Sequence, residues 1–373
     1  MTERPDVIVI GAGIIGCSTA LELSARGLRV RVIERGVPGA EASTVAAGIL
    51  APHVEHPDDP LMASLGEEGR ELHAAWAERF RANEGIDVGF RRTGALVVGH
   101  ATDAIDTRCA GHIANHVAFE RLDGAGARAL EPALSPRIEA AVHLPHEAQT
   151  EPPKFLRALM LACELGKVRF VRSMVRGVRI ERDRVRGVEL EDGLLESELV
   201  VVAAGSWTSL VPGAGGRSDA HLRTVQPVRG QVVHCEAHPR LVKRLVFGSG
   251  GYIVPRGDGR YVFGATTEEA GFQKEATVGG VHQVLDRALT VAPALANARF
   301  VAHDVSFRPG TPDGRPLIGR GSADGLWIAS GHYRNGILLA PITAALVAGS
   351  IANEAGRVDD PRLAALSPTR FAS

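Results

Sequence analysis

The sequence predicts an α/β fold in two lobes. One is a Rossmann-type nucleotide-binding domain built from discontinuous segments, the other an α+β lobe with a largely antiparallel sheet. Three observations predict it. The apolar run Val7-Ile8-Val9-Ile10 leads directly into Gly11-Ala12-Gly13-Ile14-Ile15-Gly16, the strand–turn–helix order of a dinucleotide site. Continuous apolar runs recur at Leu199-Val200-Val201-Val202 and Leu326-Trp327-Ile328-Ala329-Ser330, as expected of parallel strands covered on both faces. Between them lie shorter, turn-punctuated segments of β-rich character.

In chain order, Val7 to Ile10 forms the first strand and about Ile14 to Arg26 the first helix, with Gly27 as its C′ residue. Leu28 to Ile33 completes a βαβ unit that ends at Glu34. The chain is small and polar from Gly36 to Ile49, and 51–60 is an exposed connection, either a cover for a pocket or a plain surface loop. Leu61, Leu65, Leu72, Trp76 and Phe80 recur at helical steps over 61–83. A strand at 94–99 follows. His112 and His116 have the i, i+4 spacing of a zinc pair, but no H-E-x-x-H pattern and no nearby third ligand accompany them, so they read as a solvated helix face. Pro152-Pro153 introduces a helix to Leu165, followed by strands at 168–171, 175–180 and 185–190 with Arg182-Asp183 as a hairpin tip. Further strands are expected at 228–233, 251–256 and 261–264. A helix near 279–289 comes next, then final strands ending at Ser330, and a last helix from Gly336 to about Asn353.

These elements assign 1–84, 146–220 and 301–373 to the nucleotide-binding domain, and 85–145 and 221–300 to the second lobe. Lys plus Arg number 42 against 43 Asp plus Glu, so no long-range field selects nucleic acid or anionic lipid, and a small molecule in a pocket is the expected partner. Cys17, Cys109, Cys163 and Cys235 are scattered without a C-x-x-C pair, and read as buried thiols in a reducing compartment. The charged start and the short run 7–10 fit neither a signal peptide nor a membrane span, so a cytoplasmic protein without a metal is expected.

In the first turn, Gly11 permits the tight bend, Gly13 lets backbone approach a pyrophosphate, and Gly16 allows close helix–strand packing. The helix N-terminus offers N–H groups to phosphate. Glu34, at the end of the second strand, can accept from a ribose 2′-hydroxyl and would repel a 2′-phosphate. Ala42 to Ile49 presents small side chains and backbone groups where a planar ring fits.

Five motifs occur in order: the glycine turn, Ala46-Ala47-Gly48-Ile49-Leu50, Gly251-Tyr252-Ile253-Val254-Pro255-Arg256, Arg308-Pro309-Gly310-Thr311-Pro312-Asp313-Gly314, and Gly331-His332-Tyr333-Arg334-Asn335-Gly336. Together they resemble the D-amino-acid oxidase superfamily of FAD enzymes, most of all its glycine oxidase branch, which serves thiamine thiazole synthesis. The resemblance covers essentially the whole chain.

It implies that Tyr252, Arg308 and Arg334 bind a substrate carboxylate, with both arginines in glycine-rich turns. A planar guanidinium grips two oxygens at once, as lysine cannot. It implies FAD contacts from Gly11, Gly13, Ile14, Ile15, Gly16, Glu34, Arg35, Ala42, Ser43, Ala47, Gly48, Ile49 and the backbone of Val175. The final turn, His332, Tyr333, Arg334, Asn335, Gly336, Ile337 and Leu338, would present N–H groups to the flavin ring. No cysteine lies near that turn, so noncovalent FAD is expected. No side chain presents itself as a general base, which suits hydride transfer from the substrate Cα with the neutral amine supplying the electronic push. Dioxygen would take the electrons to give hydrogen peroxide, and the imine would hydrolyse to glyoxylate. The family tendency is towards homotetramers.

This chain departs from the branch at Gly250, where a histidine can stand, and at Ser306 and Phe307, which are often smaller or aliphatic. These changes leave substrate choice open among glycine, sarcosine and small D-amino acids. Three other readings are weighed: a flavin-dependent D-amino-acid or secondary-amine dehydrogenase with another electron acceptor, an NAD-dependent dehydrogenase favoured only by the first turn and Glu34, and a catalytically idle flavoprotein acting as a binding or assembly module, against which the arginine pair and Tyr252 argue.

Overall fold

The computed structural model describes residues 4–213, 219–352 and 360–371. A six-stranded sheet is assembled from both ends and the middle of the chain, in the order Leu317–Arg320, Leu326–Ser330, Leu199–Val202, Val7–Ile10, Val30–Glu34, Arg169–Arg172. All neighbours are parallel except the Leu317–Arg320 edge. The alternation of the strands decides what covers each face. Val7 and Val9 point into a core shared with the helices Ile14–Ala25, Pro60–Asn83, Pro152–Leu165 and Gly336–Ala352. Ile8 and Ile10 point the other way, against Val178, Val185 and Val188 of a three-stranded antiparallel sheet. That is why the first strand reads as four consecutive buried aliphatics.

The run Tyr333–Ala352 is long and apolar enough to cross a membrane, but it is 78% buried inside the protein. It packs against Ile14–Ala25 and Pro60–Asn83, and a helix apolar on every side belongs in such a place. Gly66 and Gly69 let the long helix close on it, since a Cβ at Gly69 would stand 2.5 Å from the Leu338 carbonyl oxygen.

The second sheet has eight strands, in the order Arg299–Gly310, Gln226–Glu236, Arg260–Gly264, Gly251–Pro255, Leu245–Gly248, Ala95–Gly99, Ala140–Leu144, Glu120–Asp123. Every pairing is antiparallel except that of Leu245–Gly248 with Ala95–Gly99. The helix Val278–Val291 covers one face. The other face packs on Ala47, Ala51 and Val54, which brings this sheet against the segment following the second strand. The expected lobe boundary at 301 falls inside Arg299–Gly310, which pairs along its length with Gln226–Glu236.

The 51–60 connection is held at several points. Its single helical turn Pro52–Glu55 gives the His53 backbone N–H to Glu147 Oε1 at 3.2 Å. Arg70 Nη1 donates to the other oxygen of Glu147 at 2.8 Å. Arg108 reaches the Val54 carbonyl, Asn115 the Pro57 carbonyl, and Asp59 pairs with Arg315 while capping the helix Pro60–Asn83. The His112 expectation needs correction: the ring is fully buried, 5.5 Å from the Phe119 ring, and burial lowers its pKa to about 4. His116 is exposed, just beyond the helix Thr102–Ala114. Among the described residues no cluster suited to a metal ion occurs.

Burial pushes the Glu147 carboxyl up to about 7 despite the adjacent Arg70. The unfolded chain gives up this proton near 4.5, so folding stability from this group falls as pH rises between those values. Thermal unfolding of wild type and Glu147→Gln should therefore diverge over that window, wild type losing stability relative to the variant. A relative gain by wild type would mean that the pairing with Arg70 outweighs burial.

Candidate active site

The first turn needs its glycines for measurable reasons. Gly11 has φ +102°, and a Cβ there would stand 2.6 Å from the Ala203 carbonyl oxygen. A Cβ at Gly16 would stand 1.9 Å from the carbonyl oxygen of Gly11 itself. Strand and helix are thus as close as backbone permits. Gly13 caps the helix without any side-chain hydrogen bond, and Ser43 Oγ accepts only the Ile14 N–H, at 2.9 Å. Glu34 accepts the Ala12 N–H at 2.9 Å and the Gly36 N–H at 2.8 Å. Its carboxylate braces the turn and keeps lone pairs for a ligand hydroxyl.

A cavity of about 480 Å³ runs from this turn to the final one. It is lined by every predicted cofactor residue except two. Gly16 serves the helix–strand contact just described, and Leu338 packs on the helix Pro60–Asn83 near Gly66. Trp207, absent from the sequence-based set, adds a ring to the wall, with the Arg35 guanidinium 4.4 Å above it. The Ala46–Leu50 segment is fixed by buried Arg256, which donates to the carbonyls of Ala47 at 2.7 Å and Thr150 at 3.1 Å.

The far end gathers Tyr252, Arg308, Arg334 and, unforeseen, Glu55. Arg308 stands in the strand Arg299–Gly310, not in a glycine-rich turn as expected. It lies back over Gly230 on the neighbouring strand, whose missing Cβ would be 2.3 Å from Nη1. Nη1 donates to the Thr266 carbonyl at 3.0 Å. The segment carrying that carbonyl is tied down in turn, because Glu268 accepts from Arg229, Gln231 and Thr266. Tyr252 repeats the device: its ring rests on Gly264, where a Cβ would be 2.3 Å from the hydroxyl. Burial pushes the Tyr252 pKa up, against the pull of Arg308 and Arg334, so the hydroxyl keeps its proton to donate.

Arg334 precedes the final helix, in the turn Tyr333–Asn335, as expected. Its Nε and Nη2 donate to the two Glu55 oxygens at 2.8 and 3.3 Å, and the Glu55 charge raises its pKa further. His332 is buried and donates to or accepts from Thr343 Oγ1 at 3.0 Å. Burial lowers its pKa to about 3, so it adds no charge. Ser306 Oγ is a buried hydroxyl on the cavity wall without a hydrogen-bond partner, an atom that a bound ligand would satisfy.

These features fit FAD. The helix start, where Gly13 supplies no side-chain cap, and the braced glycine turn suit a pyrophosphate, Glu34 a ribose, and the wall from Ala42 to Ile49 a flat ring. The four cysteines are buried, none lines the cavity, and burial pushes Cys163 to about 12 and Cys235 to about 11. Protonated, enclosed thiols suit a noncovalent cofactor.

Comparison with known proteins agrees. Residues 6–350 match the family model described as FAD dependent oxidoreductase. The glycine oxidase of Geobacillus kaustophilus is 32% identical over 99% of this chain and 98% of its own. Its crystal structure superposes with a TM-score of 0.91, covering 99% of both chains. The bifunctional protein ThiO/ThiG of Trichormus variabilis is 34% identical over 98% of this chain, which spans 55% of that relative's length. The iminodiacetate oxidase of Chelativorans sp. BNC1 is 27% identical, with a TM-score of 0.86 over 97% of this chain and 98% of that one.

Placing a methyl group under either anchor should displace it. Gly230→Ala and Gly264→Ala should each raise KM for a carboxylate substrate by about tenfold or more, the loss expected when a charged ligand group forfeits its partner. Bound flavin should remain, which absorbance checks. Unchanged KM in both variants would show that these side chains do not anchor substrate.

Proposed function

The chain belongs to the FAD dependent oxidoreductase family, and from that premise we propose that it oxidises glycine to the imine, which hydrolyses to glyoxylate and ammonia as dioxygen becomes hydrogen peroxide. Sarcosine and small D-amino acids are the further candidate substrates. Support comes from one arrangement above all: two guanidinium groups and a tyrosine hydroxyl share a cavity with the glycine turn. The full-length similarity to a glycine oxidase adds to it. The likeness to a ThiO/ThiG protein supports a role in supplying thiamine thiazole synthesis. In the same reading the enzyme works in the cytoplasm, where unpaired cysteines stay reduced.

FAD, when bound, supplies the acceptor for two electrons from the substrate Cα–H and hands them to dioxygen. The chain's own residues do the positioning. Arg308, Tyr252 and Arg334 would hold the carboxylate, Arg308 steadied by its bond to the Thr266 carbonyl and Arg334 by Glu55. Holding a substrate in one pose removes the orientational entropy from the reaction barrier. The N-terminus of Gly336–Ala352 adds a partial positive charge to the wall, undiluted by neutral His332.

Among the described residues, the carboxylates that line the cavity are each engaged. Glu34 is bonded to two backbone N–H groups and Glu55 to Arg334, while Glu41 is paired with Lys274. In this reading the substrate amine sheds its proton to solvent and reacts in its neutral form.

Arg308→Ala should weaken glycine binding by roughly 2–5 kcal/mol, the cost of leaving a desolvated carboxylate unpaired. The flavin band at about 450 nm should persist. Near-wild-type turnover in this variant would refute the anchoring role. Peroxide release measured side by side from glycine, sarcosine, D-alanine and D-proline should be greatest with glycine. Flavin reduced by these substrates but persisting reduced in air would instead mark a dehydrogenase.

A further inference from the structure

Arg256 is a buried cation whose partners are all neutral. It is 6% exposed, and its guanidinium donates to Gln149 Oε1 at 2.9 Å, the Thr150 carbonyl at 3.1 Å and the Ala47 carbonyl at 2.7 Å. Among the described residues no carboxylate pairs with it. The acids whose charge reaches it are engaged elsewhere, Glu151 with Lys154 and Arg260, Asp258 with Arg260. Burial pulls the Arg256 pKa down to about 10, which leaves it charged at neutral pH. A charge held out of water without a counter-ion costs stability, and its place in the fold says what it serves. Ala47, Gly48 and Ile49 line the cavity, and Arg256 holds the first of them directly. It holds Gly48 through Thr150, whose N–H donates to the Gly48 carbonyl at 2.9 Å and whose own carbonyl oxygen would stand 2.1 Å from a Cβ at Gly48. Ile49 pairs with Gln149, the third acceptor, between two short strands. One layer of backbone thus separates the guanidinium from the wall that suits a flat ring.

We propose that Arg256 is a positioning residue for the flavin that also tunes it: it fixes the Ala47–Ile49 wall and, through that wall, lends the ring a positive charge that favours its reduced form. The proposal rests on FAD binding and not on the identity of the substrate. A hydride brings the ring two electrons and one proton, so the ring gains one negative charge whichever amine supplies it. A fixed cation in a site screened from water favours that change. The final helix offers a partial charge from its N-terminus, whereas Arg256 offers a full one from the end of the strand Gly251–Pro255. The two parts of its role are separable. A lysine keeps the charge and gives up the fork of donors, and a glutamate at 149 keeps the bond to Arg256 and cancels the charge.

Flavin-loaded wild type and variants are compared by two readouts that need no turnover. One is the midpoint potential of the flavin, read spectrally against a reference dye. The other is the affinity for sulfite, which adds to the oxidised ring and leaves it negatively charged. Gln149→Glu should weaken sulfite binding by about tenfold, a gap near 1.4 kcal/mol, and lower the potential. Arg256→Gln should do the same. Arg256→Lys should stay within about threefold of wild type, a gap well under that of the charge-cancelling variants. Flavin absorbance reports which variants hold the cofactor, and Gln149→Glu tests the charge even where Arg256→Gln releases FAD. Wild-type potential and sulfite affinity in Gln149→Glu would overturn the proposal. So would an Arg256→Lys variant that falls as far as Gln149→Glu, since the bonds alone would then carry the effect. The expected order of variants, in an enzyme that releases no peroxide from glycine, would refute the glycine reading and leave the role of Arg256 standing.

Discussion

A guanidinium lying over the backbone of Gly230 and a phenol ring resting on Gly264 need the same condition, a strand surface with its Cβ removed. Arg308 and Tyr252 approach their neighbouring strands so closely that any side chain in between would collide. The first turn meets the condition again, where Gly16 sits against the Gly11 carbonyl. Each omission trades local backbone stiffness for an approach that no other residue permits. The cofactor end and the substrate end of the cavity are both shaped in this way, one by a helix closing on a strand and the other by side chains lying on a sheet.

The second organising element is electrical. Arg334 enters from the start of the final helix and Glu55 from a turn almost three hundred residues earlier, and they meet at the edge of the cavity. Behind Glu55 stands a second, more deeply buried pair, Arg70 with Glu147, which fixes the turn through the His53 N–H. The 51–60 connection is therefore held from several sides, with Glu55 on the cavity wall. What distinguishes the two pairs is depth. Burial governs the Glu147 carboxyl, whereas the Glu55 charge governs Arg334.

Much of this was legible in the sequence where local rules decide the outcome. The first strand, turn and helix follow from an apolar run, spaced glycines and Gly27, and the final helix from a glycine-rich turn before an apolar stretch. The hairpin tip at Arg182-Asp183 also stands as read, with φ of +50° and +61°. The strand Arg299–Gly310 was obscured because its alternation is mixed with charged residues and it ends in Pro309-Gly310, so Arg308 read as part of a turn. Gly230 and Gly264 carried a usable signal, glycine inside a strand pattern, which marks close approach. His112 carried one too, since it follows Ile105 and Cys109 at helical steps on the buried face, whereas Glu55 and Trp207 carried none, since each depends on partners far away in the chain.

The central claim, that Arg308, Tyr252 and Arg334 converge on one substrate carboxylate, is tested most directly by a crystal structure of the flavin-loaded protein with methoxyacetate, an unreactive ether that mimics sarcosine. The account predicts the ligand carboxylate within hydrogen-bond reach of the Arg308 and Arg334 guanidinium groups and the Tyr252 hydroxyl. A carboxylate seated away from both guanidinium groups would contradict it.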